Sequence, residues 1–494
     1  MERNITKDKV VFSLLWKLAE TVATHGVQIV VMILLTRLLL PEDFGLIVIV
    51  TVFITLAALL VESGFTMALI QKKDTDEIDY SSVFYLNLFL ATVFYLILFF
   101  VAPYIATFYE KLELINVIRV LSILLFLKSF ISIQIAILTR NMQFNKLFKS
   151  SFGAILASGL IGITMAYNGF GIWALVGQQL SNQFLIAIIL WFTVKWRPQF
   201  VFNIERIKKL FKYSSNLLIS SLMSSFNENL KNLIIGKIFS PTLLGFFSKG
   251  RQFPQILAEN LNGSIQHVMF PALAANQDNQ SKIKKMVQKS VSMTSFIIFP
   301  MMVGLAVIAE PIIGLILTDN WLPIVPFLQI FCAFYLISTI DTIYSLAINA
   351  IGRSDIFLKL EIIKVPLSLI ILIISAQFGI YEIAFGVVIS VVFNLIIDGC
   401  AIYKLLGYRL YEQLSDYFPS LILSILMGMI IYSLNWFGMD ATITMFAQIV
   451  LGIFSYIGLA VIFKPESYLY LLNILQNVIG KKKIKENPVL PIDK

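Results

Sequence analysis

The sequence predicts an all-α integral membrane protein of about fourteen transmembrane helices: two six-helix lobes in parallel repeat around a central cavity, plus two extra C-terminal helices. Three observations lead there. Of 494 residues, 58% are apolar and only 14% charged, against a charged share of about 25% in soluble domains. With a mean hydropathy of +0.85, no water-soluble core hides that much apolar side chain. Apolar runs long enough to cross a bilayer recur along the whole chain. The positive charges behind the net +9 sit between those runs rather than on one face, which is a topology signal and argues against nucleic-acid binding.

The runs cover 12–40, 44–70, 80–107, 114–138, 150–168, 170–194, 213–238, 243–273, 286–317, 322–350, 360–378, 380–404, 417–436 and 441–463. The first is too long for a cleaved signal and reads as a span. With the N-terminus inside, 28 of the 38 Lys and Arg fall in inside segments and three, Arg37, Lys111 and Lys237, in outside loops. One missed span would invert every later loop, so both termini are expected in the cytoplasm. The outside loops are short, as at 168–171 and 320–323. The large extracytoplasmic loop in which membrane glycosyltransferases and sugar polymerases work is therefore missing, and an enzyme is not expected. Cys332 and Cys400 lie in apolar runs and read as packing residues.

A duplication appears at an offset of 200 residues. Arg37-x3-Pro41-x3-Gly45 is matched by Lys237-x3-Pro241-x3-Gly245, each between two apolar runs. Lys17, Glu20, Thr21, Thr24 and Gln28 form one helical stripe in the first span, and Ser220, Ser221, Ser224 and Glu228 repeat it in the seventh. In the eighth span Ser248, Gln252, Gln255, Glu259, Asn262 and Gln266 make the longest polar face. Such a face must meet protein or water, because polar groups in hydrocarbon are costly. The even number of spans between the copies gives them one orientation, so the expected organisation is a lobe at 1–200, a lobe at 201–405, two further helices at 406–465 and a basic cytoplasmic tail at 466–494. Spans 1, 2, 7 and 8 would line a hydrophilic cavity. The connector 197–212 reads as an interfacial helix, and Lys481–Lys483 with Lys485 as a contact to the anionic inner surface.

The stretches Leu38-Leu39-Leu40-Pro41-Glu42-Asp43-Phe44-Gly45-Leu46, Ala68-Leu69-Ile70-Gln71, Gly171-Ile172-Trp173-Ala174-Leu175-Val176, Asn232-Leu233-Ile234-Ile235-Gly236-Lys237 and Phe270-Pro271-Ala272-Leu273 resemble the polysaccharide transport family of bacterial flippases. That family holds the O-antigen (lipopolysaccharide), colanic acid and teichuronic acid exporters of the multidrug/oligosaccharidyl-lipid/polysaccharide exporter superfamily. The resemblance runs from about residue 10 to 465 and rests on the order and spacing of weak motifs. It implies an undecaprenyl-pyrophosphate-linked sugar unit as substrate, moved from the inner to the outer leaflet of the bacterial cytoplasmic membrane by alternating access. It also implies membrane lipids and other polysaccharide assembly proteins as partners. A cation-coupled multidrug exporter shares the fold and is the alternative.

A pyrophosphate needs cations held in a cavity. Lys128 is the deepest, on a face read together with Ser122, Ser129 and Ser132. Lys231, Lys249 and Arg251 lie near outer span ends, where snorkelling is an equal explanation. Lys17 either contacts substrate or pairs with Glu20. With Gln252, Gln255 and Glu259 these residues form the candidate substrate site. Glu20, His25, Glu62, Glu228, Asp341 and Asp398 are the candidates for ion coupling, set against plain pairing such as Glu228 with Lys231. Arg119 and Lys364 read as structural. Asp74-x-Asp76-Glu77-x-Asp79 reads as a solvated turn rather than a metal site. No phosphate-binding loop, zinc cluster or nucleophile elbow is present in the sequence, so no metal, cofactor or covalent chemistry is expected.

Overall fold

The computed structural model describes the backbone of residues 7–72, 74–276 and 279–479, with their side chains except those of 7–22, 212, 213, 216, 217, 220, 224, 264, 267, 268, 271, 274, 354 and 473–479. The helices are α1 (Lys7–Leu38), α2 (Pro41–Glu62), α3 (Phe65–Gln71), α4 (Glu77–Tyr109), α5 (Leu114–Leu121), α6 (Leu124–Arg140), α7 (Phe144–Tyr167), α8 (Ile172–Thr193) and α9 (Ile204–Ile238). They continue as α10 (Pro241–Ala274), α11 (Gln280–Val307), α12 (Ala309–Ile316), α13 (Val325–Ala350), α14 (Ser354–Ser375), α15 (Ile380–Leu406), α16 (Leu410–Tyr432), α17 (Ala441–Phe463) and α18 (Glu466–Ile479).

Each of the fourteen apolar runs corresponds to a long helix or to two successive helices. Among the described residues, ten of these are long and apolar enough to cross a membrane. Of the other four, α1 is described as an apolar helix only over Ala23–Leu38, α9 and α10 bear polar stripes, and α14 contains Asp355, Lys359, Glu361 and Lys364. Three runs that read as continuous are broken, each for a local reason. Ser63 and Gly64 both adopt left-handed backbone between α2 and α3. Ser122 turns its hydroxyl back to the Ile118 carbonyl at 2.6 Å between α5 and α6. Pro311 has no N–H for the Val307 carbonyl, and α11 stops there while α12 restarts at Ala309.

The chain separates into two compact units, Met1–Ser248 and Lys249–Lys494, the division falling within α10. In the first unit the duplicated motifs meet. A Cβ on Gly45 would stand 1.7 Å from the Pro241 carbonyl oxygen, and one on Gly245 would stand 2.1 Å from that of Pro41. The reciprocal contact, Gly45 on Pro241 and Gly245 on Pro41, is what a local two-fold between two like-oriented copies produces. Glycine is required because only a residue without Cβ lets two backbones come this close.

Elsewhere in this unit a proline defect is repaired. Pro103 cannot donate to the Phe99 carbonyl; Arg119 donates to that oxygen instead, at 3.3 Å, with its guanidinium 4.1 Å above the Phe99 ring. Arg119 is thus structural, as its position suggested. At the C-terminal end of α4 Tyr109 donates to the Leu233 carbonyl (3.2 Å), Lys237 pairs with Glu110 (3.1 Å) and Lys111 with Glu42 (2.5 Å), tying α4 to α9 and α2. In the second unit α18 lies along α11, with Ser292 and Ser467 hydroxyls 2.7 Å apart and Lys289 over the Tyr470 ring.

Candidate functional site

The polar stripe of α10 is half-buried along most of its length. The Lys249 ammonium, in a buried side chain, donates to Gln252 Oε1 at 3.0 Å; Gln255 Nε2 donates to Glu259 Oε1 at 2.7 Å. Arg251 Nε donates to the Tyr335 hydroxyl at 3.3 Å. Spacings of three and four residues make the Lys249–Gln252 and Gln255–Glu259 contacts possible along one helix, while Arg251 reaches across to α13. Glu259, Asn260 and Gln266 are exposed, in the second half of this 34-residue helix. On α1, His25 and Gln28 are exposed; on α9, Ser221 and Glu228 are exposed and Lys231 is half-buried. Glu228 and Lys231 are both engaged in interactions. An exposed carboxylate or amide at bilayer depth has to be hydrated, so these faces need water rather than lipid. The side chains of Lys17 and Glu20, and of Ser220 and Ser224 in the repeat, lie outside the described residues, as does the basic tail.

In the first unit Lys128 of α6 is half-buried, and its charge bears on Glu62, the last residue of α2. Its sequence context was misread. Ser122, Ser129 and Ser132 do not share an open face with it: Ser129 donates to the Asn87 carbonyl (3.3 Å) and Ser132 accepts from the Asn87 amide (3.3 Å), all buried between α4 and α6. Ser129 and Ser132 hold the two helices together, while Ser122 bonds back to Ile118 in its own chain segment. A half-buried Lys128 whose charge is felt at Glu62 is what remains of that prediction.

The second unit brings Asp341 and Asp398 together, although they are 57 positions apart in the sequence. Asp398 lies on α15 with its side chain 1% exposed; the Lys364 ammonium of α14, 5% exposed, is 2.6 Å away. Ser345 of α13 donates to Asp398 Oδ2 at 2.8 Å. Asp341, one turn before Ser345 on the same helix, is half-buried, with its Oδ1 shut off from solvent and without a hydrogen-bond partner. Lys364 therefore does not merely end a span but completes a buried charge cluster. The signal that finds it is depth. Lys364 is ten residues into α14, Asp398 eight before the end of α15 and Asp341 nine before the end of α13. At about 1.5 Å per residue all three sit at one level.

The acidic stretch after α3 is exposed at Asp74, Asp76 and Glu77, as a solvated turn would be, but Asp79 is sealed. Asp79 is 0% exposed, pairs with Lys72 at 2.5 Å and lies 3.4 Å from Arg206. Asp76 caps α4 by accepting from the Asp79 N–H (3.0 Å) and binds Arg206 as well. Burial pushes the Asp76 carboxyl up, but the Arg206 guanidinium outweighs it and holds the group below the usual carboxylate range. Arg140 adds hydrogen bonds to the Leu69 carbonyl (2.7 Å) and to Lys72 and Thr75. The connector is fastened too: the Gln199 and Asn203 N–H groups donate to Ser81 and Ser82 (both 3.0 Å), and Trp196 packs edge-on to Tyr80 and Phe84. It docks on α4 and runs straight into α9. Among the described residues no group of three or more His, Cys, Asp and Glu is placed to hold a metal ion.

Comparison with known proteins points the same way. A family described as "Polysaccharide biosynthesis protein" matches residues 34–326. The chain is 26% identical over 423 residues to the teichuronic acid biosynthesis protein TuaB of Bacillus subtilis, covering 83% of this chain and 86% of the relative. It is 24% identical over 411 residues to the lipopolysaccharide biosynthesis protein WzxC of Escherichia coli, covering 82% and 84%. Among solved structures it is similar to the lipid II flippase MurJ in an inward closed conformation, with a TM-score of 0.73 at 16% identity over 90% of this chain and 98% of that one. An inward-facing multidrug resistance transporter of the MATE family gives a TM-score of 0.58 at 13% identity over 80% and 95%. These structures share the fold, that of a multi-pass helical membrane transporter. With more than half of its length matched, the chain belongs to the polysaccharide biosynthesis protein family.

Proposed function

We propose that the chain is a flippase that moves undecaprenyl-pyrophosphate-linked oligosaccharide units from the inner to the outer leaflet of the bacterial cytoplasmic membrane, for cell-surface polysaccharide biosynthesis. The observation that carries this is the set of exposed polar and charged side chains on α1, α9 and α10 of a chain that is otherwise apolar. Such faces suit a hydrophilic cargo drawn through the bilayer while its polyprenyl tail stays in lipid. The polysaccharide-directed names of the relatives support the same cargo class. Lys17, Lys128, Lys231, Lys249 and Arg251 supply cations for the pyrophosphate, and Gln252, Gln255 and Glu259 supply hydrogen bonds for the sugar. Both chain ends face the cytoplasm in this reading, following the loop charges. The step is a conformational change with alternating access and no covalent chemistry. A multidrug exporter of the same fold is the second reading, supported only by a weaker fold likeness.

Deleting the gene and labelling lipid-linked sugars leaflet by leaflet tests the proposal. Accumulation on the inner leaflet is the expected result. Single units accumulating outside would indicate a polymerase instead, and unchanged sugar pools with reduced dye efflux would establish the multidrug reading.

A further inference from the structure

At its start α18 leaves a space between itself, α11 and α16. A cavity of about 260 Å³ there has Lys285, Lys289, Asp416, Glu466 and Tyr470 in its wall. A second, of about 590 Å³, shares Ser292, Asp416, Glu466 and Ser467 with it. The rest of the second wall is mainly apolar, with Phe418, Pro419, Ile422, Leu423, Leu426 and Phe463, and it includes Lys464 in the turn between α17 and α18. The two spaces form one groove, charged at one end and apolar at the other. Its direction follows from α18: Ser467 meets Ser292 and Tyr470 meets Lys289, so α18 runs antiparallel to α11. Lys285 lies about 10 Å before Ser292 along α11, while the apolar wall climbs α16 from Asp416 toward Leu426. In the orientation proposed above, the charged end stands at the headgroups of the inner leaflet.

Asp416 is half-buried and accepts from the Tyr408 hydroxyl at 2.5 Å; Lys289 Nζ lies 4.7 Å above the Tyr470 ring. Lys285, Lys464 and Glu466 are exposed. The neighbouring ion pair, Lys284 with Glu412 at 2.8 Å, is outside the cavity wall. Phe418, Ile422 and Phe463 are exposed, so the apolar end opens to hydrocarbon and takes up a lipid chain. The headgroup on that chain then meets carboxylates and lysines together. A purely anionic headgroup satisfies the lysines but faces Asp416 and Glu466 with like charge. A choline headgroup carries positive charge without an N–H to donate. A primary ammonium has both the charge and several N–H donors for the carboxylates, and its phosphate answers the lysines.

We propose that this groove binds a bilayer aminophospholipid, a lipid whose headgroup carries both a phosphate and a primary ammonium. Asp416 and Glu466 take the ammonium; Lys285, Lys289 and Lys464 supply positive charge for the phosphate; an acyl chain lies along Phe418, Ile422 and Leu426. The bound lipid fastens α18 and α16 to α11, and the stability of the second unit then depends on headgroup chemistry. The site is separate from the polar stripe of α10 and stands whether or not the chain is a flippase.

The test is native mass spectrometry of the delipidated full-length protein in detergent, with phosphatidylethanolamine, phosphatidylglycerol and phosphatidylcholine of identical acyl chains added in turn. Wild type is expected to retain phosphatidylethanolamine about tenfold better than the other two, as one charge-assisted hydrogen bond would give. Melting temperatures in the same mixtures should rise in the same order. Glu466→Gln is expected to bring phosphatidylethanolamine down to the phosphatidylglycerol level, Lys289→Gln to weaken both, and the surface variant Asp355→Asn to change neither. The headgroup series uses wild-type protein and so decides even if a variant fails to fold. Equal retention of phosphatidylglycerol or of phosphatidylcholine by wild type would overturn the proposal, as would a preference for phosphatidylethanolamine that survives in folded Glu466→Gln. Displacement of phosphatidylethanolamine by an equal concentration of undecaprenyl phosphate would assign the groove to the sugar carrier and overturn it as well.

Discussion

Placing a methyl group at Gly45 tests the duplicated architecture most directly. The new Cβ would lie 1.7 Å from the Pro241 carbonyl oxygen and 2.5 Å from its carbon. Ordinary contact begins at 3.4 Å, so two backbones must separate by about 1.7 Å, because no side chain stands in the way to rotate aside. The corresponding movement for Gly245→Ala, which meets Pro41 at 2.1 Å, is about 1.3 Å. Core overpacking costs about 1–3 kcal/mol when side chains absorb it. Here rigid proline backbone has to yield, which places Gly45→Ala near the top of that range and Gly245→Ala at about 2 kcal/mol. The contact is reciprocal, so one separation relieves both clashes, and the double variant costs less than the sum of the singles. Gly26→Ala and Gly263→Ala are the controls. Nothing lies within 4 Å of either added methyl, and alanine improves helix propensity by up to about 1 kcal/mol. Thermal unfolding in nanodiscs at one scan rate ranks the variants, since membrane proteins rarely unfold reversibly. A Gly45→Ala melting temperature equal to that of Gly26→Ala would refute the close approach and, with it, the structural reading of the repeat.

The remaining predictions concern charge. Lys128→Ala, expressed at wild-type level, is expected to lower sugar export by about tenfold to a hundredfold if the ammonium holds pyrophosphate, as loss of a charge-assisted hydrogen bond would; unchanged export removes it from the site. Asp79→Asn leaves Lys72 and Arg206 without their sealed partner and is expected to destabilise the first unit by about 3 kcal/mol, read as a fall in melting temperature larger than that of the exposed-pair variant Asp355→Asn. Asp76 is depressed in the folded chain, so its contribution is fully present above the ordinary carboxylate value of 3.8 and is lost as pH falls through the lower folded value. Melting curves taken from neutral pH down to about pH 3 should therefore show an acid-sensitive step that Arg206→Gln abolishes; an identical step in that variant would contradict the pairing.

The sequence made helix number and spacing legible because a bilayer imposes one length on every span and a 3.6-residue period on every polar stripe. The duplicated Pro41/Gly45 and Pro241/Gly245 motifs were legible as a repeat, though nothing in their spacing says that they touch. Partner choice was the part that composition hides. Asp79 looks hydrated beside Asp74 and Asp76 because its second cation, Arg206, is 127 residues away and the helix that covers it is not visible in the local pattern. Lys364 looks like a span-end lysine because the helices carrying its two acids are set beside it by packing, not by local pattern. Ser122, Ser129 and Ser132 share a face on the sequence, but their neighbours were open: Asn87 of α4 meets Ser129 and Ser132, and Ser122 turns back to Ile118.

The fastening of residues 199–203 to α4 has a practical consequence for protein engineering. Chimaeras that exchange halves between related exporters invite a junction near residue 200, where the repeat begins again. A graft there would set serines 81 and 82 of one parent against the connector backbone of another, which has to follow the same path for its N–H groups to reach them, and would pair Pro41 and Gly45 of one parent with Pro241 and Gly245 of another. Hybrids spliced downstream of Gly245 keep both sets from a single ancestor, and should outnumber functional recombinants at the obvious joint.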